Sequence, residues 1–139
     1  MRDRYSELKE LSYDFLGAFN RADVDGIMSF FTEDAVYEEF HGKICNGKSA
    51  IRKSFEGLFS GRFGTIRFDE DDTFIDSDAD KVMSSWRLYL EMEGEPMVIS
   101  GLDLLRFEGS KVVLKQTYMK AKVGLYEAVE SAGQQSAKV

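Results

Sequence analysis

Between Tyr5 and Asn20 the apolar positions are Tyr5, Leu8, Leu11, Phe15, Leu16 and Phe19. Their spacing, mostly three and four residues, puts them on one stripe of an α-helix. Asp23 is placed to cap a second, short helix carrying Ile27, Met28, Phe30 and Phe31. The period then changes: Asp34 to Phe40 reads as a short strand, with His41-Gly42 as its exit. A third helix follows Asn46-Gly47, with Ile51, Phe55, Leu58 and Phe59 at helical spacing and Gly61 and Gly64 closing it.

Beyond Gly64 the pattern is that of sheet. Ile66, Phe68, Phe74 and Ile75 mark one strand, interrupted by acidic residues. From Val82 to Met92, Trp86, Leu88 and Leu90 alternate with Arg87, Tyr89 and Glu91. Turns at Glu93–Pro96 and Glu108–Lys111 separate this strand from two more, Met97 to Phe107 and Val112 to Val123. Helices first and an antiparallel meander second predict an α+β fold with the helices on one face of the sheet. A curved sheet partly rolled around a helix leaves a cavity at one end, a usual place for a ligand. One domain is expected over residues 1–126, followed by a flexible tail over 127–139.

Composition narrows the partners. The 139 residues are one domain's worth of chain, and 11 Phe, 6 Tyr and 1 Trp make disorder untenable. A net charge of −7 argues against a phosphate-binding surface, so no nucleic acid is expected. No apolar run approaches the roughly 18 residues of a membrane span, and the N-terminal stretch has no apolar core of signal-peptide length. The single cysteine, Cys45, allows no intrachain disulfide, which fits a reducing, cytoplasmic setting and a structural role for the thiol. One histidine, His41, leaves no ligand set for zinc, and no glycine-rich phosphate loop occurs, so neither metal nor cofactor is expected. The acidic run Asp76-x-Asp78-x-Asp80 lacks a calcium loop's glycine and final glutamate: Lys81 and Arg87 stand there. It reads as a solvated strand edge whose like charges discourage edge pairing.

Several stretches carry a family resemblance. Asn20-Arg21-Ala22-Asp23, continuing to Ile27, forms an N-x-x-D-x-x-x-I link between two helices. Phe31-Thr32-Glu33-Asp34-Ala35-Val36 leads into the first strand. Gly42 and then Gly47-Lys48-Ser49-Ala50-Ile51 start the third helix, and Leu102 to Phe107 form the penultimate strand. Together they resemble the NTF2-like superfamily of cone-shaped, cystatin-like α+β domains. Ketosteroid isomerase and the SnoaL-like polyketide cyclases belong to it. The likeness implies three N-terminal helices packed on a strongly curved, mostly antiparallel sheet, a homodimer through the outer sheet face, and a pocket for a small hydrophobic ligand.

Carried over by position, the isomerases' general base falls on Glu39 and their protonated oxyanion-hole aspartate on Asp103. That family uses one carboxyl to take a proton and another, kept neutral, to donate a hydrogen bond. Their oxyanion-hole tyrosine falls on Phe15, and two supporting tyrosines fall on Phe31 and Phe55. Three hydroxyls replaced by bare rings argue against steroid Δ-isomerisation itself. His41, two residues after Glu39, shares its face and is a candidate partner for the base. By parity the cavity is expected to be lined by Phe15, Phe55, Phe59, Trp86, Leu88, Ile99, Lys115 and Met119, with Trp86 either its floor or a core plug. A lysine on the concave face could neutralise Asp103 or Glu39 as an ion pair and lower the carboxyl pKa, opposing the isomerase arrangement. A slip of one residue at the Glu108–Lys111 turn would instead turn Gln116 and Tyr118 inward and Lys115 outward.

The expected function is a SnoaL-like pocket protein, and as an enzyme a cofactor-independent isomerase, cyclase or lyase acting on a hydrophobic carbonyl compound. The catalytic set would be Glu39, His41 and Asp103. Two other readings stand beside it: a non-enzymatic binder of a hydrophobic ligand, and an interaction domain whose pocket is plugged by its own rings.

Overall fold

The computed structural model describes residues 3–124 and 126–129. From residue 130 onward the expected tail lies outside the described residues; 127–129 are exposed and form neither helix nor strand. The chain runs α1 (Arg4–Asn20), α2 (Val24–Ser29), β1 (Phe31–Glu38), β2 (Ile44–Asn46), α3 (Lys48–Leu58), β3 (Arg67–Asp76), β4 (Lys81–Met92), β5 (Glu95–Glu108) and β6 (Lys111–Met119). One six-stranded sheet has the order β2-β1-β6-β5-β4-β3. Every neighbouring pair is antiparallel except β1 with β6. The α+β reading holds, with the three helices all in the N-terminal half.

Local chemistry explains the helix starts. The Asp3 carboxylate accepts the Ser6 N–H at 2.7 Å and the Asp23 carboxylate accepts the Gly26 N–H at 2.9 Å, each satisfying an orphan donor of its helix. Asn20, at the end of α1, fixes the helix to the edge of the sheet. Its amide donates to the Phe68 carbonyl at 2.9 Å and accepts the Phe68 N–H at 2.7 Å, as a neighbouring strand would.

Several boundaries differ from the sequence expectation. β1 runs Phe31–Glu38 rather than Asp34 to Phe40, so Glu39 and His41 lie in the loop beyond it. Phe31 opens β1 rather than closing α2, because the short helix already ends at its C-cap, Phe30. β5 begins at Glu95, since Glu93 and Gly94 both adopt positive φ (52° and 81°) and form a two-residue hairpin loop. Pro96 is tolerated there because β6 pairs with β5 no farther than Gly101, so the missing N–H faces no partner strand. β6 stops at Met119, short of the expected Val123, after a last backbone bond from Lys120 N–H to Ser100 O at 2.8 Å.

The slip considered at the β5–β6 turn is settled by a bulge. Phe107 pairs with Val112 but Arg106 pairs with Leu114, leaving Val113 as the extra residue. That insertion shifts the parity once, so Val112 and Lys115 are both buried although three residues apart. Lys115, Thr117 and Met119 therefore share the concave face, opposite Leu105, Asp103 and Gly101.

Candidate functional site

A cavity of about 740 Å³ lies between the helices and the concave face of the sheet. Its walls are rings and aliphatic chains: Phe15, Phe19 and Leu16 of α1, Phe55 of α3, and Trp86, Leu88 and Leu90 of β4. Such a volume and lining suit a drug-sized hydrophobic molecule. The expectation of a pocket plugged by its own rings is overturned by this volume. The rings pack edge to face around the cavity, Phe15 on Phe19 at 5.1 Å and Phe68 on Trp86 at 5.0 Å, and leave its centre open.

The sheet lays a row of polar groups across the cavity floor. Tyr37 on β1 pairs with Lys115 on β6; Thr117 on β6 pairs with Asp103 on β5, which pairs with Ser84 on β4. Lys115 is 4% exposed and Asp103 9%. The Lys115 ammonium donates to Asp103 Oδ1 at 2.9 Å and to Thr117 Oγ1 at 2.7 Å. Thr117 Oγ1 donates in turn to Asp103 Oδ1 at 2.6 Å, and Trp86 Nε1–H donates to Asp103 Oδ2 at 3.2 Å. The indole lies over Gly101, where a Cβ would come within 2.6 Å of the ring and 2.5 Å of the Tyr118 carbonyl. Only glycine leaves Trp86 room to reach Asp103.

These contacts reverse the role expected of Asp103. It accepts three hydrogen bonds and donates none, so it is a charge partner rather than a donor. The donor at this place is Lys115. Burial works to lower the lysine pKa, but the negative charge of Asp103, the Tyr37 phenol and the hydrogen bond to Asp103 outweigh it. The ammonium is held above its ordinary value and keeps its proton. It also lies 4.4 Å from the centre of the Tyr37 ring, with Phe19 and Phe55 at 5.6 and 5.7 Å, an aromatic surround that favours the cation. Burial raises the Tyr37 phenol above its usual value, with Lys115 opposing and Asp103 adding to the rise.

A second polar group occupies the β1–β2 hairpin and also lines the cavity. Glu39 Oε1 accepts the Ser54 hydroxyl at 3.1 Å, and Oε2 faces the Cys45 thiol at 3.4 Å. His41 Nε2 lies 3.6 Å from Glu39 Oε1, while its Nδ1 accepts the Lys43 N–H at 3.4 Å. Nδ1 is thereby assigned as acceptor, leaving the Nε2 proton directed at the carboxylate. The Glu39 side chain is 14% exposed and that of His41 44%. The Cys45 thiol is buried, and burial and Glu39 both raise its pKa, which fits the structural role read for it.

The structure thus brings Glu39, His41, Asp103, Phe15, Phe55, Trp86, Leu88, Ile99, Lys115 and Met119 to one cavity. Phe59 does not reach it. α3 ends at Leu58, so Phe59 sits in the C-cap turn with its ring 6.2 Å from Phe19, and Phe63 lines the cavity instead. Phe31 stands behind the wall, against Phe15 at 5.6 Å. Tyr37 and Ser54 were not anticipated. Tyr37 was legible in principle from the alternation of the first strand, in which it is buried; Ser54 carried no signal of its own.

The SnoaL-like domain profile matches residues 13–115. No curated protein matches the sequence. Among solved structures, an NTF2-like protein of unknown function from Mesorhizobium loti shares 21% identity with a TM-score of 0.73, covering 87% of this chain and 97% of that one. The epoxide hydrolase/cyclase-like enzyme SalBIII, of pyran ring formation in the polyether salinomycin, shares 19% at TM-score 0.74, covering 83% and 92%. TerC, co-crystallised with polyporic acid, shares 15% at TM-score 0.69, covering 82% and 92%. Identities this low speak for the fold and not for a shared reaction. With the helices, the curved sheet and the cavity between them in place, the chain belongs to the SnoaL-like domain family.

Proposed function

We propose that the protein holds a hydrophobic carbonyl compound in this cavity and moves a proton on it without a cofactor. The observation that supports the reading is a buried ammonium on the floor of an apolar cavity whose mouth carries a carboxylate. Glu39 removes a proton from the carbon next to the carbonyl, and His41 steadies its charge. Lys115 spends two of its N–H groups on Asp103 and Thr117, and the third is available to the carbonyl oxygen. As the enolate forms, that oxygen gains charge beside a fixed cation in water-poor surroundings, where such stabilisation is largest. Asp103, Thr117 and Trp86 orient the ammonium. The proton then returns to carbon in an isomerisation, or the enolate carbon attacks a second carbonyl in a cyclisation, or a β-leaving group departs in an elimination. Steroid Δ-isomerisation is the least favoured of these, because Phe15 and Phe55 offer no hydroxyl.

The probe for this reading is 2-tetralone, a compact aromatic ketone with exchangeable α-protons. In D2O, proton NMR is expected to show α-hydrogen exchange faster with the protein than in buffer. Glu39→Gln should remove the acceleration while leaving saturable binding of the ketone. Binding with no acceleration by the unaltered protein would instead establish the non-enzymatic binder.

A further inference from the structure

The cavity mouth carries an arginine that the mechanism above leaves unused. Arg62 lines the cavity and is exposed, in the loop that joins α3 to β3. The loop is built rather than loose: Gly61 and Gly64 adopt φ of +97° and +64°, the Gly64 N–H bonds Gly61 O at 3.1 Å, and the Glu91 N–H bonds Phe63 O at 2.8 Å. The two glycines and the tie to β4 hold the intervening pair in place. Phe63 is half-buried, and the Arg62 guanidinium lies 5.2 Å from the centre of its ring.

Charge and position together mark Arg62: Arg21 and Arg106 are also without an ion pair among the described residues, but only Arg62 of the three lines the cavity. In a chain of net charge −7, Arg4, Arg52, Arg67 and Arg87 each hold a carboxylate oxygen at 2.8–3.2 Å. Lys115, the other cation of the cavity, is matched by Asp103. Arg62 forms no such pair among the described residues; even Glu91, whose side chain lies against Gly64, does not reach it as an ion pair. Around it the mouth is apolar and open: Phe40, Met92, Met97 and Val98 line the same cavity and are 44–55% exposed. A guanidinium with no carboxylate partner among the described residues, set on the apolar collar of the cavity, is a ready place for a ligand's negative charge.

We propose that Arg62 is an anion subsite and that the ligand class is an amphiphilic acid. Its hydrophobic body fills the cavity, and a carboxylate, sulfonate or phosphate at its outer end meets the Arg62 fork at the mouth. The inference rests on the reading that the cavity takes a hydrophobic ligand.

Two fluorescent probes separate the claims. N-phenyl-1-naphthylamine and 8-anilino-1-naphthalenesulfonate share one ring system, and only the second is an anion. Arg62→Gln is expected to weaken the sulfonate about tenfold, between the effect of an exposed ion pair and that of a desolvated charged hydrogen bond. It should leave the neutral probe within about twofold. The sulfonate's loss should shrink as salt is raised. Arg106→Gln, on the outer face of β5, should change neither. Equal sulfonate affinity in Arg62→Gln and the parent, with the neutral probe still binding, would overturn the subsite and leave the cavity reading intact. An equal loss in Arg106→Gln would overturn it too, showing a response to general surface charge. Failure of the parent protein to bind the neutral probe would overturn the cavity reading itself.

Discussion

The Lys115–Asp103 pair gives the sharpest energetic test. In Lys115→Met the side chain keeps nearly its length, but two hydrogen bonds, at 2.9 and 2.7 Å, are lost. Asp103 is left as a carboxylate whose side chain is 12% exposed, with Thr117 and Trp86 as its remaining donors. Removing one partner of a buried pair costs about 3–5 kcal/mol, because the other charge stays behind. Two surviving donors and some access from the cavity place this site near the lower end, about 3 kcal/mol. At about 3–4 °C per kcal/mol for a chain of this length, the melting temperature should fall by about 10 °C. The double variant Asp103→Leu/Lys115→Met removes both charges and should return to within about 1 kcal/mol of the parent. Urea unfolding followed by Trp86, the chain's single tryptophan, reads the site directly because the indole bonds Asp103. A Lys115→Met cost below about 1 kcal/mol, or a double variant equal to the sum of the singles, would refute the coupled pair.

Three further outcomes follow from the same geometry. Gly101→Ala puts a methyl group 2.5 Å from a backbone carbonyl and 2.6 Å from the indole, so it should cost about 2 kcal/mol or more in urea unfolding and alter the Trp86 near-ultraviolet circular dichroism. Asn20→Ala removes both bonds to the Phe68 backbone and should cost about 2 kcal/mol, with amide exchange at Phe68 speeding up most. Lys115 and Tyr37 both hold their protons more tightly folded than unfolded, so the stability they contribute is complete below about pH 10 and drains away as the pH climbs past it. An alkaline melting series should therefore fall more steeply for the parent than for Lys115→Met.

Much of this was readable beforehand because the relevant signals are local. Helical spacing in α1 and α3, strand alternation in β4 and the cap at Asp23 are decided by neighbours within a few residues. The polar floor is different in kind. It is assembled from β1, β4, β5 and β6, and its parity depends on a single extra residue, Val113, that no hydrophobic pattern marks. The donor role of Asp103 was carried over by position from the isomerases. With Lys115, Thr117 and Trp86 all donating to it, the carboxyl here is an acceptor. Phe59 was misplaced because helical spacing carries past the true end of α3, whereas the chain turns at Leu58. Arg62 lies in a loop, where periodicity says nothing.

The central claim is that a hydrophobic carbonyl compound sits between Lys115 and Glu39. The measurement that addresses it most directly is a crystal structure of the protein soaked with 2-tetralone. The account predicts density inside the cavity, with the carbonyl oxygen within hydrogen-bonding distance of Lys115 Nζ and an α-carbon facing the Glu39 carboxylate. An empty cavity at saturating ketone, or a bound molecule whose carbonyl points out of the mouth, would contradict it.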